Sequence, residues 1–182
     1  MTDFLKTLRL VLRAPREADL PMLASLLNNW RISKNLGRVP HPYGLDDALR
    51  WHAFLRTLDV RSRMFAITLD DAIIGVIGYE ADKRAEAAEI GYWLAEQFWG
   101  RGLIREAACA TLSHAFMNAK HDRLVACYQY GNEGSRRVLL GLGFRHIGRG
   151  RSFSAAQRCA VDVAWLELTR KEWLRDQQRE AR

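Results

Sequence analysis

Between Glu89 and Ala107 the stretch EIGYWLAEQFWGRGLIREA changes its period twice, and this restricts the possible folds more than any other part of the chain. Ile90, Tyr92 and Leu94 alternate with their neighbours in the manner of a buried strand. Gln97-Phe98-Trp99-Gly100-Arg101-Gly102 breaks the alternation, and a helix-forming run begins at Leu103. A strand therefore feeds a glycine-bearing turn that opens a helix. The first N–H groups of a helix have no internal acceptor and lie at the positive end of its macrodipole, so the turn suits an anion, phosphate above all. Gly100 and Gly102 allow close backbone approach and turn conformations that a Cβ obstructs, while Arg101 adds a charge.

Spacing separates the kinds of phosphate loop. A P-loop needs Gly-x-x-x-x-Gly-Lys-Ser/Thr, which the chain lacks, and a dinucleotide fingerprint needs a third glycine where Arg105 stands. An ordinary strand-to-helix turn remains open for the loop taken alone. The run Gln97-x-x-Gly100-x-Gly102 resembles the acetyl-CoA pyrophosphate loop of the GNAT N-acetyltransferases. Gly91-Tyr92-Trp93-Leu94 before it and Glu106-Ala107 after it look like the RimJ/RimL-type branch. Further on, Asn132-Glu133-Gly134-Ser135, continuing to Leu142-Gly143-Phe144, resembles the family's Asn-x-x-Ser/Ala helix ending in Leu-Gly-Phe. Two motifs in the right order are more specific than either alone, and the resemblance runs from Leu8 to Leu168.

The resemblance implies an α+β fold: a mostly antiparallel central sheet with one splayed parallel strand pair and helices on both faces. It implies acetyl-CoA as cosubstrate and a primary amine as acceptor, the α-amine of a protein N-terminus first. A small amine such as an antibiotic or polyamine is the alternative, as is an acyl-CoA-binding protein without catalysis. Cofactor contacts are implied for Tyr92, Trp93 and Leu94, chiefly through their main chain, and for Gln97, Gly100, Arg101, Gly102, Leu103 and Ile104. Asn132 matches the residue that bonds the pantetheine arm, a position where Asn also suits a helix N-cap. Ser135 is implied as proton donor to the leaving thiolate; many family members carry a tyrosine four positions later, where this chain has Leu139. Glu89 is implied to act on the amine through water, against the plain reading of an exposed strand glutamate. Trp30, Arg31, Arg38 and Tyr43 fall in the segment that forms part of the family's acceptor site. Gly141 departs from the lysine common before Leu-Gly-Phe.

Elsewhere, residues 8–13 alternate as an edge strand, and an acidic cap around Asp19 leads into a helix with Leu20, Leu23, Leu26 and Leu27. Residues 28–44 read as a loop, and Asp46 or Asp47 starts the next helix. Met64–Leu69 and Ile73–Glu80 form a hairpin around Asp70-Asp71, and Ala88–Leu94 follows, so three antiparallel strands precede the phosphate loop. A helix from Gly102 to Asn118 crosses to a strand at Leu124–Tyr128, which must then be parallel to Ala88–Leu94. The Asn132 helix, strands near Phe144–Arg151 and Cys159–Leu168, and a Thr169–Glu172 capping box complete the reading.

The 182 residues suit one domain. No apolar run reaches the roughly 18 residues of a membrane span, and the N-terminus lacks a signal-peptide pattern. Cys109, Cys127 and Cys159 show no C-x-x-C pairing, which indicates small core thiols, a cytoplasmic setting and no metal. The net charge of +7 permits a polyanionic partner, but the basic residues are scattered. Arg145, Arg149, Arg151 and Arg158 lie on the last hairpin, and the tail to Arg182 mixes Arg and Lys with acids, which favours a solvated surface over nucleic-acid binding. Oligomeric state stays open, a homodimer included.

Overall fold

The computed structural model describes residues 4–81 and 87–180. Arg182, counted above with the basic tail, lies outside the described residues. Before the glycine turn stand β1 (Phe4–Lys6), β2 (Val11–Arg13), β3 (Arg63–Leu69), β4 (Ala72–Ala81) and β5 (Ala88–Leu94), each antiparallel to the next. The expected edge strand thus begins only at Val11, because Thr7 turns the chain back onto Leu10 through a 2.9 Å main-chain hydrogen bond. The edge itself is β1. At the β3–β4 turn Asp70 and Asp71 have φ of 49° and 63°, the left-handed pair that a two-residue hairpin requires.

Three helices fill the β2–β3 connection: α1 (Leu20–Leu27), α2 (Trp30–Ser33) and α3 (Leu45–Leu55). Asp19 organises the entry to α1, accepting a bidentate pair of bonds from Arg13 at 2.7 and 2.8 Å and the Arg16 N–H at 2.7 Å. The short α2 occupies part of the expected loop; four residues give no period to read. Gly44, not an aspartate, caps α3, since the Asp47 carboxylate reaches back to the Gly44 N–H at 2.9 Å.

After the turn come α4 (Leu103–Ser113), a π turn at His114–Asn118, β6 (Arg123–Gln129), α5 (Glu133–Gly141), the hairpin β7 (Arg145–Ser154) and β8 (Cys159–Thr169), and α6 (Arg170–Glu180). The strand order is β1-β2-β3-β4-β5-β6-β8-β7, with β5–β6 the one parallel neighbour pair. Strand alternation serves two cores. Ile77, Tyr79, Ile90 and Leu94 meet Leu103, Ala107 and Leu112 of α4 on one face. Val76 and Ala66 meet Leu20, Leu23, Leu27 and Ala48 of α1 and α3 on the other. Helices therefore cover both faces of a mostly antiparallel sheet, an α+β fold. Thr169 and Glu172 form the expected capping box, the hydroxyl and N–H of Thr169 donating to Glu172 Oε2 at 2.7 and 3.0 Å.

The cysteines depart from the expected core role: Cys109 and Cys159 are exposed and Cys127 is half-buried, none in a disulfide. Among the described residues no helix is long and apolar enough to cross a membrane, and no group of three or more His, Cys, Asp or Glu is arranged to hold a metal ion.

Candidate active site

β5 and β6 part almost as soon as they pair. Their ladder consists of Ala88–Leu124 and Glu89–Val125, beyond which the strands diverge. The Ala95 N–H bonds Ile74 on the β4 side at 2.8 Å, so the alternate residues Leu94 and Tyr92 turn their main-chain groups the other way, into the widening gap. No parallel partner meets them there. One of these groups is taken from within: the Trp99 indole N–H donates to the Leu94 oxygen at 2.7 Å.

At the head of the gap the chain makes a 3-10 turn, Glu96–Phe98, in which Gln97 is exposed. It then takes φ of +73° at Gly100 and +74° at Gly102, the N-cap of α4. Both are left-handed conformations that favour glycine. A Cβ on Gly100 would meet nothing within 4 Å, leaving open space over the loop. No side chain caps α4, so its first amides, from Leu103 and Ile104 onward, keep their donors for a ligand. The Arg101 guanidinium lies 5.5 Å over the Phe98 ring. Uncapped amides, open space and a nearby guanidinium are groups that suit a diphosphate.

α5 opens on the same gap. Asn132 is its N-cap and accepts the Ser135 N–H at 3.1 Å. The Ser135 hydroxyl is 3.0 Å from the Tyr92 hydroxyl, which also lies 3.4 Å from the Ser135 carbonyl oxygen. Burial raises the Tyr92 phenol to about 12, although its bond to Ser135 opposes this, so Tyr92 remains a protonated donor at neutral pH. The sequence pattern places Tyr92 in the site through its main chain alone; a tyrosine on a strand face otherwise made of Ala88, Ile90 and Leu94 is the signal for its side chain. Leu139 is fully buried in the α4-side core.

On the opposite face of β5 stands Glu89, level with Glu80 of β4. The Cys127 thiol approaches its Oε1 at 3.9 Å, and Arg38 donates to Glu80 at 2.7 Å. Surrounding protein raises the Glu89 pKa despite its solvent contact; Arg38 lowers it, the neighbouring Glu80 raises it and the Cys127 thiol lowers it. Glu80 was not singled out from the sequence, although the β4–β5 register places it there. The half-exposed Trp30 stacks edge-on to His41 at 5.3 Å. Arg31 pairs with Glu96, which also accepts from Asn29, and its guanidinium lies 5.6 Å over Trp99, tying α2 to the glycine loop. Tyr43 is 7% exposed within the α1–α3 core, apart from this open face. Across the face, Lys34–Gly37 is fastened to the β7–β8 turn by Ala155 N–H to Gly37 O and Gln157 Nε2 to Lys34 O, both 2.9 Å.

A split mixed sheet, with a glycine turn and an asparagine-capped helix opening on the split, is the architecture of an acetyltransferase. The family model described as Acetyltransferase (GNAT) domain matches residues 9–145, and the chain belongs to that family. It is 28% identical over 176 residues to the Bacillus subtilis (strain 168) protein named "Putative ribosomal N-acetyltransferase YdaF", covering 92% of each chain. A shorter stretch of 84 residues, 46% of this chain and 47% of the other, is 36% identical to the ribosomal-protein-serine acetyltransferase of Escherichia coli (strain K12). In fold it is similar to Mycobacterium smegmatis RimJ in complex with CoA-disulfide, with a TM-score of 0.81 at 23% identity over 93% of this chain and 88% of that one.

Proposed function

We propose that this chain, acting as one domain, transfers the acetyl group of acetyl-CoA to a primary amine, and that the amine is the α-amine of a protein N-terminus. The observation that carries the first part is the two-residue β5–β6 ladder, which leaves the main chain of Tyr92 and Leu94 facing a gap headed by the uncapped start of α4. In this reading the amides from Gly100 to Ile104, with Gln97 and Arg101 beside them, hold the diphosphate. The main chain of Tyr92 and Leu94 and the side chain of Asn132 guide the pantetheine arm, whereas Trp93 turns its main-chain groups to β4 and its side chain to the α1–α3 core. CoA in RimJ of M. smegmatis, and in a RimL structure of similar fold, supports that ligand. The names of YdaF and of the E. coli ribosomal-protein-serine acetyltransferase support a protein acceptor of the RimJ/RimL kind.

The two sides of the gap divide the work. Ser135, on the α5 side and bonded to Tyr92, donates to the sulfur as negative charge develops there, an interaction stronger in the transition state than before it. Glu89, on the other face of β5, takes the amine proton through water. Trp30, Arg31 and Arg38 border the acceptor side, and Tyr43 lies apart from it in the α1–α3 core. Positioning supplies much of the rate, since oriented reactants reach very high effective molarities.

One observation favours a small cationic amine instead: Glu80 opposite Glu89 makes the acceptor face locally negative within a chain of net charge +7. Acetyl-CoA turnover measured against N-terminal peptides, polyamines and aminoglycosides separates the readings. Faster turnover of a peptide supports the protein acceptor, faster turnover of a small amine replaces it, and CoA binding without turnover of any amine leaves a binding protein.

A further inference from the structure

Arg9 lies in the Thr7–Leu10 turn between β1 and β2, far in sequence from every residue assigned above, yet its guanidinium is built into the glycine loop. Its Nε donates to Glu106 Oε2 at 2.7 Å and its Nη1 to the Arg101 main-chain oxygen at 3.0 Å. The Arg9 N–H and the Thr7 hydroxyl donate to Glu106 Oε1 at 2.8 and 2.6 Å. Nη2 stands 3.6 Å from where a Cβ on Gly102 would be.

Two consequences bear on an anion at this loop. A trans peptide directs its C=O and the following N–H oppositely. With the Arg101 carbonyl held toward Arg9, the Gly102 N–H points away from it and is free to join the first amides of α4. The second consequence is electrostatic. Glu106 sits in the first turn of α4, where its charge suits the helix but repels a bound phosphate. Burial alone would raise its pKa, but the bonds from Thr7 and Arg9 lower it, so it is ionised at neutral pH and needs its counterion.

We propose that Arg9 is a positioning residue for the diphosphate of the cosubstrate, fixing the Arg101–Gly102 peptide and neutralising Glu106. The inference rests on the reading that this loop binds CoA. Calorimetric titration of CoA into the native protein and into Arg9→Met and Arg9→Lys tests it, together with kcat/KM for acetyl-CoA and for S-acetylpantetheine, which lacks the diphosphate. Loss of a charge-assisted pair should weaken CoA binding about tenfold in Arg9→Met. S-acetylpantetheine should be used within about twofold of the native rate. Arg9→Lys keeps the charge but not the two-sided hold, and falls between; adding Glu106→Gln to Arg9→Met should recover part of the affinity. Equal CoA affinity in native protein and Arg9→Met overturns the proposal. So does an equal loss with both acyl donors, which makes Arg9 a brace of the fold alone. A native protein that fails to bind CoA refutes the underlying reading before Arg9 is tested.

Discussion

Replacing Glu89 by Gln keeps the shape of the side chain and removes its charge, so it isolates proton removal from packing. At pH 7 an α-amine of pKa about 8 needs roughly 1.4 kcal/mol to become neutral, whereas a lysine near 10.4 needs about 4.6 kcal/mol. The α-amine is the lighter task. Glu89 has the Cys127 thiol at 3.9 Å and a second carboxylate, Glu80, opposite it, and it keeps solvent contact that admits a relaying water. The expected loss in kcat is about tenfold to a hundredfold at pH 7, at or below the low end of general-base effects. It should shrink as pH rises toward about 9, where the amine is already neutral. Stability should move the opposite way. A carboxyl whose pKa is raised by folding contributes stability below its ordinary value and loses it as pH rises through the folded value, so ionised Glu89 destabilises the protein at pH 7. Glu89→Gln should therefore melt higher than the native protein at pH 7, with the gain fading in acid. Steady-state rates on an N-terminal peptide and melting curves over the same pH range read both effects. Full activity at pH 7 would refute the assignment of Glu89 as the base, and a lower melting temperature at pH 7 would refute a Glu89 pKa raised by folding.

Three further variants probe other parts of the account. Ser135→Ala should lower kcat about tenfold to a hundredfold with acetyl-CoA affinity nearly unchanged, and equal losses in both would make Ser135 a structural helix residue. Tyr92→Phe removes the phenol that holds Ser135 and should cost about two- to tenfold in kcat, again with little change in affinity, as read by single-turnover rates and calorimetry. Asp19→Asn removes the charge that partners Arg13 in a part-buried pair and should cost about 2 kcal/mol, or about 4–8 °C in Tm. Burial raises the Asp19 pKa, but the bonds from Arg13 and Arg16 lower it overall. Its contribution is thus present above the ordinary aspartate value and fades as pH falls through the lowered one, and Asp19→Asn should show a flatter acid limb.

Period and punctuation made much of this fold legible. The strands from Arg63 to Leu94, the glycine turn, α4 and the capped α5 follow from alternation, helical spacing and residues with definite backbone preferences. Elements too short to repeat were not legible: β1 has three residues and α2 four. The cap of α3 escaped because the donor is a glycine N–H and the acceptor, Asp47, lies three residues into the helix. Within the candidate site, the main-chain loop could be read because glycine spacing carries its meaning locally. The contacts of Tyr92 with Ser135, Arg31 with Glu96 and Arg9 with Glu106 join residues 43, 65 and 97 positions apart, and only the folded sheet brings them together. Tyr43 shows the converse, since a tyrosine in an aperiodic segment gave no sign that it turns inward to the core.

Calorimetric titration of CoA into the native protein and into Gly102→Val asks whether the glycine loop at the start of α4 receives the diphosphate. A β-branched residue at φ +74° adds strain of about 1–2 kcal/mol and sets a Cβ at ordinary contact distance, 3.6 Å, from the Arg9 guanidinium, while the rest of the fold keeps its contacts. The native protein should bind saturably and one to one, and a Gly102→Val variant that still melts cooperatively should lose most of that affinity. No heat of binding at millimolar CoA in the native protein, or undiminished affinity in folded Gly102→Val, would contradict it.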